Sequence, residues 1–220
     1  MKIAAVMATR FNPPQRKALL ETLRADGIEP VVMADAGPHP DDWSLYRLWN
    51  AGVRYAIERG AEYIAVLNDD VTILPETLDL MAEALIVHDK GRNIGVIYPD
   101  VRRRTSEGLG DLWPLTPTTG TWGAGGMTGF CFMFRADLGI PFDERYQLWY
   151  GDDAFEEAVR AKGLLVARID GLPIDHTANG STSQLPDGEA GERIARDRAR
   201  WDSRLRVIVQ HNSPTFTVTA

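Results

Sequence analysis

The sequence has little of several features that would assign a protein to a class at once. Cysteine occurs once in 220 residues, so neither a disulfide framework within the chain nor a thiolate zinc site can form. No apolar run approaches the roughly 18 to 20 residues that a membrane-spanning helix needs. The apolar run 3–8 is shorter than the core of a signal peptide. The formal net charge of −7 argues against a broad surface for nucleic acid phosphates. We therefore expect a soluble, cytoplasmic protein.

The features that are present indicate one globular domain with an extension. A chain of this length with 44% hydrophobic and 25% charged residues can bury a sizeable core. The lone Cys131 lies in the apolar run 130–134, which predicts a small buried side chain rather than a reactive thiol. We assign residues 1–185 to the domain and 186–220 to a C-terminal helical extension. Segment 192–206 mixes arginine, aspartate and alanine, which predicts a surface helix.

Strand-like and helix-like segments alternate along the first hundred residues. Short apolar runs typical of buried strands lie at 2–8, 30–34, 63–67 and 94–98, with helical periodicity between them. This alternation predicts an α/β fold with a mostly parallel, Rossmann-like central sheet flanked by helices. The segment 99–126 is irregular, and further strands and a helix are expected at 129–135, 152–162 and 164–169.

Polar residues follow the run 63–67 directly, as the triplet Asn68-Asp69-Asp70. In open α/β sheets, ligands bind beyond the carboxyl ends of the strands. Two neighbouring carboxylates repel each other unless a cation or a shared proton offsets their charge. Oxygen ligands of this kind suit Mg²⁺ or Mn²⁺, and these ions suit substrates that carry phosphate. The alternative is that the triplet is an ordinary turn.

Three further polar points are expected at the same edge of the sheet: Asp35, Asp152-Asp153 and Asp175-His176. The acid pair Asp152-Asp153 opens a helix, where capping explains one of the two carboxylates. The other carboxylate is then available as a general base. His176 alone is typical of a surface histidine, but beside a cation it becomes a credible nitrogen ligand.

Seven segments, taken in their order along the chain, resemble family 2 glycosyltransferases with the GT-A fold. They are Ala8-Thr9-Arg10-Phe11-Asn12, 67–76, 129–135, 141–145, Tyr150-Gly151-Asp152-Asp153, 161–163 and 175–181. The resemblance extends over residues 2–183. Each motif alone is weak evidence for the family, whereas the ordered set of motifs is more specific. It implies a nucleotide-sugar-binding half at 1–98 and an acceptor half at 99–185.

The same resemblance implies a role for each matching residue. Residues expected to contact the nucleotide-sugar are Ala8, Thr9, Arg10, Asp35, Asn68 and Asp69. Asp70 and His176 would ligate Mn²⁺ or Mg²⁺. The pair Asp152-Asp153 stands at the family's Glu-Asp motif, whose second acid is the catalytic base, here Asp153. Asn68 departs from the family, which has a carboxylate at the first position of its DxD motif.

We therefore predict a metal-dependent inverting enzyme, hexosyltransferase-like, that moves a sugar from a nucleotide diphosphate sugar to an acceptor hydroxyl. The acceptor stays open among glycan, protein, small molecule and modified nucleic acid. Trp122, Trp149 and Tyr150 offer flat faces for a sugar ring, with core packing as the alternative for each. The donor base and the oligomeric state stay open as well.

Three alternative functions apply to the same residues. A degenerate GT-A domain would act as a binding module without turnover. A sugar nucleotidyltransferase needs a glycine-rich loop after the first strand, and residues 8–14 contain no glycine. A glycoside hydrolase would also use two carboxylates, but it needs neither nucleotide nor metal.

Overall fold

The computed structural model describes residues 1–9, 14–34, 44–109, 115–118, 126–176 and 188–212. Within these residues seven strands form one sheet: β1 (Ile3–Thr9), β2 (Glu29–Ala34), β3 (Tyr63–Asn68), β5 (Ile94–Asp100), β6 (Leu115–Pro117), β7 (Cys131–Arg135) and β8 (Leu165–Pro173). Two short strands, β4 (Val71–Thr72) and β9 (Asp175–His176), pair with each other separately. The order across the large sheet is β2-β1-β3-β7-β5-β8-β6.

The large sheet is mixed but mostly parallel, as predicted. Strands β2, β1, β3, β5 and β8 run in one direction, whereas β7 and β6 run in the other. Strand β7 lies between β3 and β5 and is antiparallel to both. Its first residue therefore lies at the edge where β3 ends, because Cys131 pairs with Leu67. This insertion brings residues just before β7 to the carboxyl end of β3.

Five helices accompany the sheet in the described part of the chain: α1 (Pro14–Ala25), α2 (Leu45–Glu58), α3 (Thr77–Arg92), α4 (Gly151–Ala161) and α5 (Glu189–Asn212). Helix α1 begins at Pro14, whose missing N–H and fixed φ suit a first helical position. Ser44 caps α2, and its hydroxyl oxygen accepts a hydrogen bond from the amide of Arg47.

The two faces of the sheet bury separate cores. Along β1, Ile3, Ala5 and Met7 face a core that includes leucines of α1 and α3. The alternating residues Ala4, Val6 and Ala8 face a second core that includes α2, α4 and one tryptophan of α5. This second core is rich in aromatic side chains, including Tyr46, Trp49, Phe132, Phe142 and Phe155. Burial on both faces explains why the strands are continuous apolar runs.

Cys131 is fully buried in β7, as predicted, and burial raises the pKa of its thiol. Among the helices of the described ranges, none combines the length and apolar character needed to cross a bilayer.

The C-terminal helix has more tertiary contact than its composition suggests. The expectation of a surface helix holds for one side of α5, where residues such as Arg198 and Asp202 are exposed. The opposite side buries Arg193, Asp197 and Trp201. The spacing of apolar residues does not predict this buried face, because two of its three buried side chains are charged.

Candidate active site

The triplet after β3 forms a buried turn at the edge of the sheet. Asp69 and Asp70 are only 2% and 3% exposed, and β4 begins at the next residue. Strand β4 pairs with β9 so that Val71 lies opposite His176. This pairing carries His176 from more than a hundred residues away to the side of Asp70.

Asp69 joins the ends of β1 and β3. Because β1 and β3 are parallel neighbours, with Ala8 opposite Asn68, their following residues meet at one edge. The Thr9 hydroxyl donates a hydrogen bond to Asp69 Oδ2. The Arg16 guanidinium donates in turn to Thr9 Oγ1 at 3.1 Å. The Asp69 carboxylate therefore holds Thr9 in place.

Asp70 presents a carboxylate oxygen that the described residues leave without a hydrogen bond. Its Oδ1 is buried and accepts none from them, although His176 Nε2 lies 3.2 Å away. The His176 ring stacks on Phe130, with ring centroids 4.3 Å apart and planes 10° apart. A buried carboxylate oxygen without a donor is costly unless a cation or a proton reaches it.

These two residues fit a divalent cation whose remaining ligands come from elsewhere. Within the ranges that the structure describes, no group of three or more His, Cys, Asp and Glu is arranged to hold a metal ion. Asp70 and His176 offer one oxygen and one nitrogen 3.2 Å apart. Mg²⁺ typically binds one or two carboxylates and completes its shell with waters and substrate phosphates, and Mn²⁺ also accepts imidazole. The donor set thus suits an ion that binds together with a phosphate-bearing substrate.

Asp175, the neighbour of His176, faces a different partner. Its Oδ2 accepts hydrogen bonds from the amide and the hydroxyl of Thr105, the first at 3.3 Å. Arg104 Nη1 lies 3.5 Å from the other oxygen. The predicted pair Asp175-His176 therefore contributes only His176 to the contact with Asp70.

The acid pair lies in the first turn of α4. Asp152 accepts a hydrogen bond from the Tyr46 hydroxyl at 3.3 Å. Burial raises the pKa of Asp152, and the negative charge of Glu156 acts in the same direction. The amides at the start of the helix and the Tyr46 hydroxyl oppose the shift only in part. Asp152 thus holds a proton more readily than an ordinary aspartate. Asp153 is 9% exposed.

Two glycines allow these side chains to pack as closely as they do. A Cβ on Gly129 would lie 2.0 Å from Asp152 Oδ2, which is shorter than a van der Waals contact. A Cβ on Gly151 would lie 2.4 Å from the ring of Tyr46. The carboxylate of Asp152 therefore lies directly over the backbone of Gly129.

One dipeptide connects the acid pair with Asp70 and His176. Gly129 contacts Asp152, and the next residue, Phe130, stacks on His176. The carbonyl of Phe130 also accepts a hydrogen bond from the amide of Asn68 at 2.9 Å. Both groups of polar side chains therefore border the same edge of the sheet, as the sequence predicts.

The remaining predicted site residues differ in their exposure, and three of them lie outside the described residues. Trp149 is 47% exposed, whereas Tyr150 is partly buried and stacks on Trp201 with centroids 5.8 Å apart. Packing thus accounts for Tyr150, and the face of Trp149 stays accessible. Arg10, Asp35 and Trp122 lie outside the described residues.

Several residues that shape this edge have no individual role in the prediction from the sequence. Tyr46 orients Asp152, Gly129 makes room for it, and Phe130 fixes the ring of His176. The spacing of Tyr46 and Trp49 on the apolar side of α2 was a signal for the burial of Tyr46. The contacts of Gly129 and Phe130 had no signal in the local pattern, because their partners are distant in sequence.

No protein-family model matches the sequence, and no curated protein matches it. Solved structures do match. They include residues 1–349 of TarS from S. aureus, with a TM-score of 0.58 and 15% identity over 100% of this chain and 76% of that one. The Drosophila β1,4-galactosyltransferase 7 catalytic domain, in complex with xylobiose, matches with a TM-score of 0.54. The identity is 15% over 87% of this chain and 78% of that one.

A third match is glucosyl-3-phosphoglycerate synthase from Mycobacterium tuberculosis, in complex with Mn²⁺, uridine diphosphate and glucosyl-3-phosphoglycerate. Its TM-score is 0.62, with 11% identity over 92% of this chain and 79% of that one. Identities this low establish the fold alone. The chain has the GT-A fold, which confirms the expectation from the sequence.

Proposed function

We propose that this protein is a glycosyltransferase that moves a sugar from a nucleotide diphosphate sugar to an acceptor hydroxyl, with inversion at the anomeric carbon. The observation that carries the proposal is the buried Asp70 oxygen that accepts no hydrogen bond from the described residues, beside His176, at the end of β3. On a GT-A sheet this is the edge where ligands bind. The structural neighbours crystallised with uridine diphosphate and Mn²⁺ support the same reading.

On the donor side, Asp70 and His176 would hold the divalent ion, Mn²⁺ or Mg²⁺. When bound, the ion offsets the negative charge that develops on the departing diphosphate. Ala8, Thr9 and Asn68 lie at the ends of β1 and β3 and would line the donor, with Asp69 fixing Thr9. Arg10 and Asp35 stay predictions for the nucleotide.

On the acceptor side, the acid pair supplies the base that removes a proton from the attacking hydroxyl. The resemblance assigns this role to Asp153. Burial raises the pKa of Asp152, which makes its carboxylate a second candidate for this role, because a carboxylate with greater proton affinity accepts a proton more readily. Asparagine variants of each residue separate the two assignments.

The exposed face of Trp149 favours an acceptor that carries a sugar ring. Trp149 precedes the acid pair by only three residues and is 47% exposed. Flat apolar rings bury large areas when a partner packs on them. A glycan or a glycosylated molecule is therefore the acceptor class we propose first, ahead of protein, small molecule and nucleic acid.

A thermal-shift titration tests the proposal directly. Uridine diphosphate and a panel of nucleotide-sugars are added with and without Mn²⁺, since a ligand that binds only the folded state raises the melting temperature. We expect stabilisation that requires both components. Asp70→Ala should lose it, whereas Asp202→Ala, an exposed site on α5, should keep it. Full donor turnover by Asp70→Ala in metal-free buffer would contradict the proposal.

The same assay separates the alternatives. A degenerate GT-A domain would bind nucleotide or glycan without releasing nucleoside diphosphate. A sugar nucleotidyltransferase would release pyrophosphate instead. The division of the domain after residue 98 and the cytoplasmic location stay predictions.

A further inference from the structure

Helix α5 carries a fully buried carboxylate that has no part in the proposed reaction. Asp197 is 0% exposed. Its oxygens accept hydrogen bonds from the consecutive amides of Gln147, Leu148 and Trp149, with shortest distances of 2.9, 2.7 and 3.0 Å. Successive backbone amides that converge in this way form an anion-binding nest. In this protein the bound anion is the carboxylate of Asp197, so its hydrogen bonds fix the backbone of residues 147–149.

Two other residues of the same helix face contact the same loop. Arg193 Nη1 donates to Gln147 Oε1 at 3.2 Å, and Trp201 stacks on Tyr150 with ring planes 20° apart. The spacing of four residues from Arg193 to Asp197 and on to Trp201 places all three on one side of α5. The loop 147–150 is therefore held along its whole length by one helix.

The loop leads directly into the acid pair. Helix α4 begins at Gly151, so Asp152 is the second residue after the loop. Tyr150 has a φ of 65°, a left-handed conformation that bulky residues adopt only when their surroundings hold them there. Its stack on Trp201 supplies such support. Where α4 starts, and hence where Asp152 and Asp153 lie, depends on this support.

We propose that Asp197 is a positioning residue, through which α5 fixes the loop 147–150 and thereby the acid pair and Trp149. The catalytic part of this inference rests on the proposed function. The structural part is measured without any substrate, so the two can fail separately.

Amide hydrogen exchange of full-length Asp197→Asn tests the structural part. The asparagine keeps the size of the side chain but removes its charge and one of its two acceptor oxygens. We expect amides 147–149 to exchange at least about tenfold faster, since hydrogen bonds to a charged group are strong. Amides of β3 should keep their protection. Asp202→Asn is the matched control, with the same change at an exposed site of the same helix, and should match the wild type.

Unchanged exchange at 147–149 in Asp197→Asn would overturn the proposal. Trp201→Phe guards against a general loss of folding, because it keeps an aromatic ring against Tyr150 and should speed exchange of the loop by a smaller factor. If both variants deprotect β3 as strongly as the loop, α5 stabilises the whole fold instead, and the proposal fails.

Steady-state kinetics test the catalytic part. Asp197→Asn should lower kcat about tenfold with little change in KM for the nucleotide-sugar, because the donor residues lie on β1 and β3 rather than on the loop. Faster loop exchange with an unchanged kcat would overturn the catalytic role. If the wild-type protein turns over no nucleotide-sugar, the proposed function fails, while the exchange result still decides whether Asp197 holds the loop.

Discussion

The two sides of the candidate site are built in different ways. On the donor side, Asp69 and Asp70 follow β3 directly, strand pairing brings His176 beside Asp70, and Phe130 stacks on the His176 ring. On the acceptor side, the acid pair depends on residues from three other segments. These are Tyr46 of α2, Gly129 before β7 and Asp197 of α5.

This difference predicts different sensitivities. A side chain at the end of a buried strand is held by the sheet, so distant surface changes should leave it in place. A side chain that follows a loop anchored by another helix should respond to changes in that helix. The donor side should therefore fail through its own residues and through Phe130, which stacks on His176, whereas the acceptor side should fail through its own residues, Gly129 and α5.

Replacing Asp70 should have the largest effect. Asp70→Asn keeps the shape of the side chain but removes the charge that would hold the cation, and several kcal/mol of charge stabilisation would be lost with it. We expect transfer from a nucleotide-sugar to fall by about a thousandfold or more. The far-ultraviolet circular dichroism should be that of the wild type. A variant with more than a tenth of wild-type activity would contradict the metal assignment.

Replacing the acid pair one residue at a time should have the next largest effect. Whichever of Asp152→Asn and Asp153→Asn removes the base should lower kcat by about 10² to 10⁴-fold. Binding of the nucleotide diphosphate, measured by calorimetry, should stay unchanged in both, because the donor residues are untouched. Equal and small losses in both variants would exclude the pair as the source of the base.

Gly129→Ala should have an intermediate effect and affect the acceptor side first. The new Cβ would lie 2.0 Å from Asp152 Oδ2, so the Asp152 carboxylate must move. We expect kcat to fall about tenfold, in keeping with the sensitivity of catalysis to small misplacements. Gly191→Ala, in α5 with open space around the new methyl group, is the control and should be neutral or slightly stabilising. A Gly129→Ala variant that loses nucleotide binding but keeps kcat would contradict this prediction.

The smallest effect concerns stability and pH. Burial raises the pKa of Asp152 above its value in the unfolded chain. The stability that this group contributes is therefore present below the unfolded pKa and is lost as pH rises through the folded pKa. Asp152→Asn does not titrate, so it should melt higher than the wild type at neutral pH, with the difference shrinking toward acidic pH. Thermal melts across pH check this, and a variant that is less stable at neutral pH would argue against the raised pKa.

Most elements of the first half could be predicted from local patterns. Strands β1, β2, β3 and β5 were expected within two residues of their observed bounds. Strands β1, β3 and β5 are largely buried and are continuous apolar runs, and the partly exposed edge strand β2 has a short apolar run of its own. The position of β7 between β3 and β5, antiparallel to both, had no such signal, because register with distant strands is not written in a local pattern.

In the candidate site, too, some features could be predicted from the sequence and others could not. The strand-end position of Asp70 and the proximity of His176 were predicted from residue type and topology, and the contact at 3.2 Å agrees with both. The burial of Asp197 was missed because a carboxylate in an arginine-rich helix is ordinarily exposed, and only its three amide donors explain it.

The sequence by itself determined the alternating fold and the strand-end triplet, because hydrophobic period and strand ends are local properties of the chain. The tertiary structure alone decided the close packing of Asp152 on Gly129, the stack of Phe130 on His176 and the hold of α5 on the loop 147–150. Each of these joins segments at least 23 residues apart, and such contacts arise only when the folded sheet and helices bring their surfaces together.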